Sequence, residues 1–189
     1  MLNSKLPIYL ASKSPRRQMI LTEAGIDFTV KPVEILEDHF INLPVDEVAQ
    51  HIAEQKAKQF PYLKENEIVI AADTTVIIND TILGKPTDAK EAEQMLSSLS
   101  GKSHHVTTGV CVKDRHQVDS FSDTTLVHFK TLTDKEIDYY IKNFEPFDKA
   151  GAYGIQEWIG MIGVPKIEGS YFTVMGLPIH KLYSVLLKY

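Results

Sequence analysis

The stretch YLASKSPRRQ, Tyr9 to Gln18, ends a short apolar run in two serines, a proline and two adjacent arginines, and MILTEAG behind it reads as a helix. A helix N-terminus presents unpaired N–H groups and a partial positive charge. Ser12, Arg16 and Arg17 beside it would complete an anion site. A backbone reading stands next to that one: Ser14 caps the helix, Pro15 takes its first position and the arginines point to water. Asp73 follows a run of apolar residues in IVIAADTTV. A carboxylate there is costly to bury unless it is paired or bound to metal, and apolar residues resume after Thr75, so Asp73 interrupts a buried element. At a strand end it can hold Mg²⁺, activate water, or both.

Lys85 sits in LGKPTD, where the glycine permits close approach and the proline stiffens the turn; a lysine there reaches a phosphate as a point charge or is simply solvated. Lys56 lies four residues after Ile52, near the apolar face of a helical pattern, so its stem is part-buried and its head either lines a site or snorkels. DKAGAYGIQ, Asp148 to Gln156, carries glycines that suit a loop or a close backbone approach. Gln156 offers a donor and an acceptor, the equipment for reading a base edge. His104 and His105 are adjacent, so on a strand they face opposite ways. Walker A, GxSxG, CxxC and HExxH patterns are all absent from the sequence.

These residues need an alternating α/β frame to bring them together. PIYLAS reads as a buried strand and RRQMILTEAG as a helix closed by Gly25. DFTVKPVEI is extended. Apolar spacing predicts a helix from Val45 to Phe60, with Glu54 and Lys58 paired on its wetter face. EIVIAADTTVIIND is the strongest strand, and NDTILGKP turns and continues it. Asp88 with Glu91, and Thr133 with Glu136, resemble capping boxes opening AKEAEQMLSSLS and DKEIDYYIKNF. HHVTTGVCVK and SFSDTTLVHF read as antiparallel neighbours. A glycine-rich passage follows Pro146, then SYFTVMGLP as a last strand and turn, and IHKLYSVLLKY as a final helix. The frame is one α/β domain with a mixed sheet.

The bulk numbers suit that frame. The chain has 189 residues, 43% hydrophobic and 24% charged, enough for one sizeable core. A formal net charge of -5 argues against nucleic acid as main partner, while local basic spots still suit a small phosphorylated ligand. The single cysteine, Cys111, lies in an apolar stretch and reads as core. The apolar run Leu6 to Ala11 is too short for a signal peptide or a membrane span, so a cytoplasmic protein without membrane partner is expected; a homodimer is compatible with the sequence.

Taken together, LASKSPRR, EQKAKQ, AADTTV, LGKPTD, LSGKSH, DKAGAYGIQ and GSYFTVMGLPI, in that order from Leu10 to Ile179, resemble the Maf family of nucleoside triphosphate pyrophosphatases. The resemblance implies an inosine-triphosphatase-like α/β fold: a mixed twisted sheet flanked by helices, two-lobed with a central cleft, as a single domain over residues 1–189. It implies hydrolysis of a nucleoside triphosphate to the monophosphate and pyrophosphate, with a divalent metal, Mg²⁺ or Mn²⁺. By position, Asp73 would be the general base, and Ser12, Arg16, Arg17, Lys56 and Lys85 would line the phosphate site. Asp38 matches the acidic position associated with metal, shared with Asp73, and Glu37 beside it is the alternative.

The family divides by substrate. One branch acts on dTTP and UTP; another acts on 7-methyl-GTP and has glutamate in place of the glutamine. Arg16, Thr74 and Gln156 match the first branch. A glutamine can donate to a pyrimidine carbonyl and accept from its N3–H, whereas a carboxylate can only accept. Two rival expectations remain: a non-catalytic nucleotide-binding regulator of cell division and septum formation, and a metal-dependent phosphatase releasing orthophosphate.

Overall fold

A computed structural model describes residues 6–35 and 43–189. Along the chain come β1 (Ile8–Leu10), α1 (Pro15–Glu23), β2 (Thr29–Val30), α2 (Val48–Gln59), β3 (Ile68–Ile78), β4 (Thr81–Leu83) and α3 (Ala89–Leu99). They are followed by β5 (Ser103–Lys113), β6 (Val118–His128), α4 (Asp134–Phe144), α5 (Trp158–Gly163), β7 (Lys166–Glu168), α6 (Tyr171–Met175) and α7 (Ile179–Leu186). Short 3-10 turns occupy Pro146–Asp148 and Ala150–Ala152. The strands join in the order β2-β1-β3-β5-β6-β7, with β4 paired to β3. β1 runs parallel to β2 and β3, while β4 and β7 run antiparallel to β3 and β6. Only residues 114–117 connect β5 to its neighbour β6, too short for a crossover, so that pair is antiparallel as expected. The expected mixed α/β sheet is therefore present. Among the described residues no helix is long and apolar enough to cross a membrane.

The chain forms two compact units: residues 1–74, 108–123 and 176–189 make the first, 75–107 and 124–175 the second. In the first, Ser14 caps α1 by accepting the Arg17 N–H, Pro15 opens the helix, and Gly25 at φ 69° follows its last turn. The backbone reading of Ser14 and Pro15 therefore holds. α2 begins at Val48 rather than Val45, because the preceding turn closes through Glu47 N–H to the Pro44 carbonyl, the tighter i→i+3 pattern common at helix starts. Ala53 and Ala57 of α2 pack on Ala11, Val69, Ala71 and Cys111. These small side chains let the helix lie close to the sheet. Gly109 makes the approach closer still: a Cβ there would sit 2.2 Å from the Gln50 nitrogen. Cys111 is buried as expected, and burial pushes its thiol up to about 12, so it is an inert core residue.

In the second unit, α4 opens with the full capping box of Thr133 and Glu136. At α3 the box is half made. Asp88 accepts the Glu91 N–H at 2.8 Å, but the Glu91 carboxylate takes the Thr87 N–H and hydroxyl instead, both at 2.7 Å. Two elements depart from the sequence pattern. Trp158–Gly163 is a helix where a glycine-rich passage was expected. Gly160 permits it, since a Cβ there would lie 2.0 Å from the Ile155 carbonyl oxygen. SYFTVMGLP is not a strand: Tyr171–Met175 is helical, with the Ser170 carbonyl accepting the Thr173 N–H at 3.1 Å. Tertiary burial of Thr173 and Met175 outweighs the strand preference of the aromatic and β-branched residues.

Candidate active site

The first cluster grows from the end of β1 and the first turn of α1. Arg17 is almost buried, at 9% exposure. Its Nε donates to the Gly176 carbonyl at 2.8 Å, one terminal nitrogen to the Ser12 hydroxyl at 3.0 Å, and the other to the Thr74 hydroxyl at 3.1 Å. The Thr74 hydroxyl lies 2.9 Å from that of Thr108, and Ser12 also accepts the Ser14 N–H at 3.2 Å. Burial pulls the guanidinium below its ordinary value; the charge of Asp73 opposes that, and Arg16 adds to it. Arginine stays charged through such a shift, so Arg17 is a fixed positive charge held on three sides. Gly176 is required here. Its φ is 104°, and a Cβ would lie 3.2 Å from the Thr74 hydroxyl.

Asp73 lies inside β3, between buried Ala72 and half-buried Thr74. Strand alternation puts Asp73 on the same face as Ala71, the face that α2 covers. Lys56 of α2 meets it there, Nζ to Oδ1 at 2.6 Å, with the two side chains 15% and 18% exposed. The sequence reading of a carboxylate that must be paired to interrupt an apolar strand is met by this lysine. Part-exposure keeps both groups within reach of a ligand.

The remaining expected residues fall as follows. Arg16 is half-buried on α1. Lys85 is exposed in the segment between β4 and α3, in the second unit. Gln156, also in the second unit, stands in the turn before α5, and its Oε1 is buried without a hydrogen-bond partner. Asp38 and Glu37 lie outside the described residues. The structure thus brings Ser12, Arg17 and Thr74 into one bonded network, pairs Lys56 with Asp73, and sets Arg17 within the field of Asp73. Sequence reasoning overlooked Thr108 and Gly176. The clue for Thr108 is a hydroxyl inside the apolar run VTTGVCV, where burial demands a partner.

The donor chemistry bears on a metal. Among the described residues no group of three or more His, Cys, Asp or Glu side chains gathers as a ligand cage. Asp73 supplies a carboxylate bonded to Lys56 and within the field of Arg17. Mg²⁺ is commonly held by one or two carboxylates plus the phosphates of its substrate. Asp73 fits one share of such a cation's coordination, with phosphate oxygens supplying others.

This architecture is similar to that of a HAM1 protein from Coxiella burnetii, with a TM-score of 0.52 at 16% identity, covering 97% of this chain and 100% of that one. At that identity the likeness speaks for the fold, and it agrees with the inosine-triphosphatase-like arrangement expected from the sequence. The family described as Maf-like protein matches residues 7–189, and the chain belongs to the Maf family. A protein of Christiangramia forsetii named dTTP/UTP pyrophosphatase is 48% identical over 183 residues, covering 95% of this chain and 92% of that one. One of the same name from Porphyromonas gingivalis strain W83 is 46% identical over 186 residues, covering 96% and 94%. Another from Phocaeicola vulgatus is 47% identical over 186 residues, covering 97% and 96%.

Proposed function

We propose that this protein is a nucleotide pyrophosphatase that hydrolyses dTTP and UTP to the monophosphate and pyrophosphate, residues 1–189 acting as one catalytic domain in the cytoplasm. The observation that carries the reading is Asp73: a carboxylate set into an apolar strand, held at 2.6 Å by Lys56 and lying within the field of Arg17. The shared name of the relatives supports the choice of substrate, and Arg16, Thr74 and Gln156 fit it.

Asp73 takes a proton from water, whose oxygen bonds to the α-phosphorus. The bond from that phosphorus to the α–β bridging oxygen breaks, and pyrophosphate leaves. Lys56 has three N–H donors; one holds the Asp73 carboxylate in place, and the others serve phosphate oxygens. Arg17 spends donors on Gly176, Ser12 and Thr74, so it contributes a preorganised charge rather than a swinging clamp. Ser12, Arg16 and Lys85 add polar and positive groups for the triphosphate. A divalent cation, Mg²⁺ or Mn²⁺, held by Asp73 and phosphate oxygens, with Asp38 or Glu37 as a further ligand, would supply charge neutralisation and polarise the phosphate. Gln156 reads the pyrimidine edge through its amide.

The test is product analysis with a nucleotide panel and Mg²⁺ or Mn²⁺. Monophosphate plus pyrophosphate, with dTTP and UTP ahead of the other nucleotides, is expected. Release of orthophosphate would make the protein a phosphatase. Tight nucleotide binding without any product would make it a non-catalytic regulator of the kind linked to cell division.

A further inference from the structure

Gln156 is flanked by a buried polar clamp inside the second unit. Tyr140 of α4 is fully buried, and its hydroxyl accepts the Gly154 N–H at 3.0 Å and donates to Glu157 Oε2. The other carboxylate oxygen of Glu157 meets Lys149 Nζ at 3.1 Å, and Lys149 is only 7% exposed. Lys149 also pairs with Asp148 at 2.6 Å. The Glu157 N–H closes the turn on the Gly154 carbonyl at 3.0 Å. The residues two before and one after Gln156 are therefore bonded to the same tyrosine. Gly154 has no room for a side chain, since a Cβ would lie 2.8 Å from the Glu157 carboxyl carbon.

Burying a charged pair and a phenol costs desolvation, which a plain surface turn would not need. What the clamp flanks is informative: Gln156 Oε1, buried and without a partner. Leaving such an acceptor unpaired is unfavourable unless a ligand donor completes it. A glutamine amide is also ambiguous, because turned over it pairs with cytosine as readily as with thymine or uracil. Discrimination requires that the residue be fixed.

We propose that Tyr140 and Lys149, acting through Glu157, are positioning residues that fix Gln156 so that its amide selects a base carrying an imide N–H, thymine or uracil, over cytosine. This rests on the reading of Gln156 as the base-reading residue. The clamp is tested by binding alone, so its outcome is separate from that of turnover. The dissociation constants of α,β-methylene-dTTP, α,β-methylene-dCTP and inorganic tripolyphosphate are measured by calorimetry for the unmodified protein, Tyr140→Phe and Lys149→Met. Tyr140→Phe is expected to weaken the thymine analogue about tenfold, as loss of a buried bond to a charged group would, and to leave tripolyphosphate unchanged. The preference for thymine over cytosine narrows. In a Gln156→Ala background, Tyr140→Phe adds no further loss, because the two act as a unit. Should Tyr140→Phe not fold, Lys149→Met carries the same comparison. Equal weakening of tripolyphosphate, an unchanged base preference, or full additivity with Gln156→Ala overturns the proposal. So does an unmodified protein that binds both analogues alike.

Discussion

At the scale of the residue, Asp73 and Arg17 show how burial divides labour between charges. Arg17 is nearly sealed and its nitrogens face protein oxygens, so its position is set before any ligand arrives. Asp73 and Lys56 keep 18% and 15% exposure, enough to meet a ligand and water. Replacing Asp73 by asparagine keeps the side-chain size and an oxygen for Lys56, so the cost in stability is about 1–2 kcal/mol, below that of breaking a fully buried pair. On the proposed mechanism, the group that would accept the proton from water is lost. We expect Asp73→Asn to fold, to bind dTTP within about threefold of the unmodified protein, and to lose at least about a thousandfold in kcat, in line with removal of a general base. Thermal melts, calorimetry and pyrophosphate release check the three parts. Turnover close to that of the unmodified protein would remove Asp73 from the mechanism.

At the scale of the element, α2 is the part that places Lys56 over Asp73, and the fit depends on what is missing from its underside. Ala53, Ala57 and Gly109 leave little atom between helix and sheet. In Gly109→Ala the new methyl would meet Gln50 and Ala49 backbone atoms at 2.2 to 2.4 Å. Backbone cannot swing aside as a side chain can, so α2 must lift. We expect a loss of about 3 kcal/mol, the upper part of the usual overpacking range, seen as a lower denaturant midpoint with an unchanged m-value. Turnover should fall as well, because Lys56 moves with the helix. A variant as stable and active as the parent would show that α2 does not need this closeness.

The same elements show what the sequence made legible. β3 and α3 carry their signals locally, in a continuous apolar run and in a helical period with a cap, and α4 has a complete capping box. α6 hides behind Tyr-Phe-Thr-Val, whose local preference is for strand, and α5 behind three glycines in the ten residues from Gly154 to Gly163, which read as loop. The site was legible as residue types: a carboxylate in an apolar strand, a lysine at the edge of a helix face, serines and arginines at a helix start. Its bonding was not. Arg17 reaches Gly176 across 159 positions and Thr74 across 57, and no local pattern records such partners.

At the scale of the whole molecule, folding stability should carry the mark of one buried histidine. His104 is 1% exposed, its Nε2 lies 2.7 Å from the Tyr153 hydroxyl, and its Nδ1 has no partner. Its ring lies against those of Phe129 and Tyr153. Burial, with His105 and His128 nearby, pulls its pKa from 6.5 to about 4. In the unfolded chain the ring titrates near 6.5; in the folded protein it stays neutral down to about 4. Between those values the unfolded state binds the extra proton, so stability falls as pH falls through that window and levels off below it. A shift of that size corresponds to roughly 3 kcal/mol across the window. His104→Gln keeps an amide for Tyr153 but cannot titrate. The stability of the unmodified protein relative to His104→Gln should therefore fall by roughly 3 kcal/mol as pH drops from above 6.5 to about 4. Carboxylates that titrate in the same window are common to both proteins and cancel in the difference. Curves that stay parallel from neutral pH to the acid limit would mean that His104 gains its proton as easily folded as unfolded, and that the ring is not sealed among Phe129 and Tyr153.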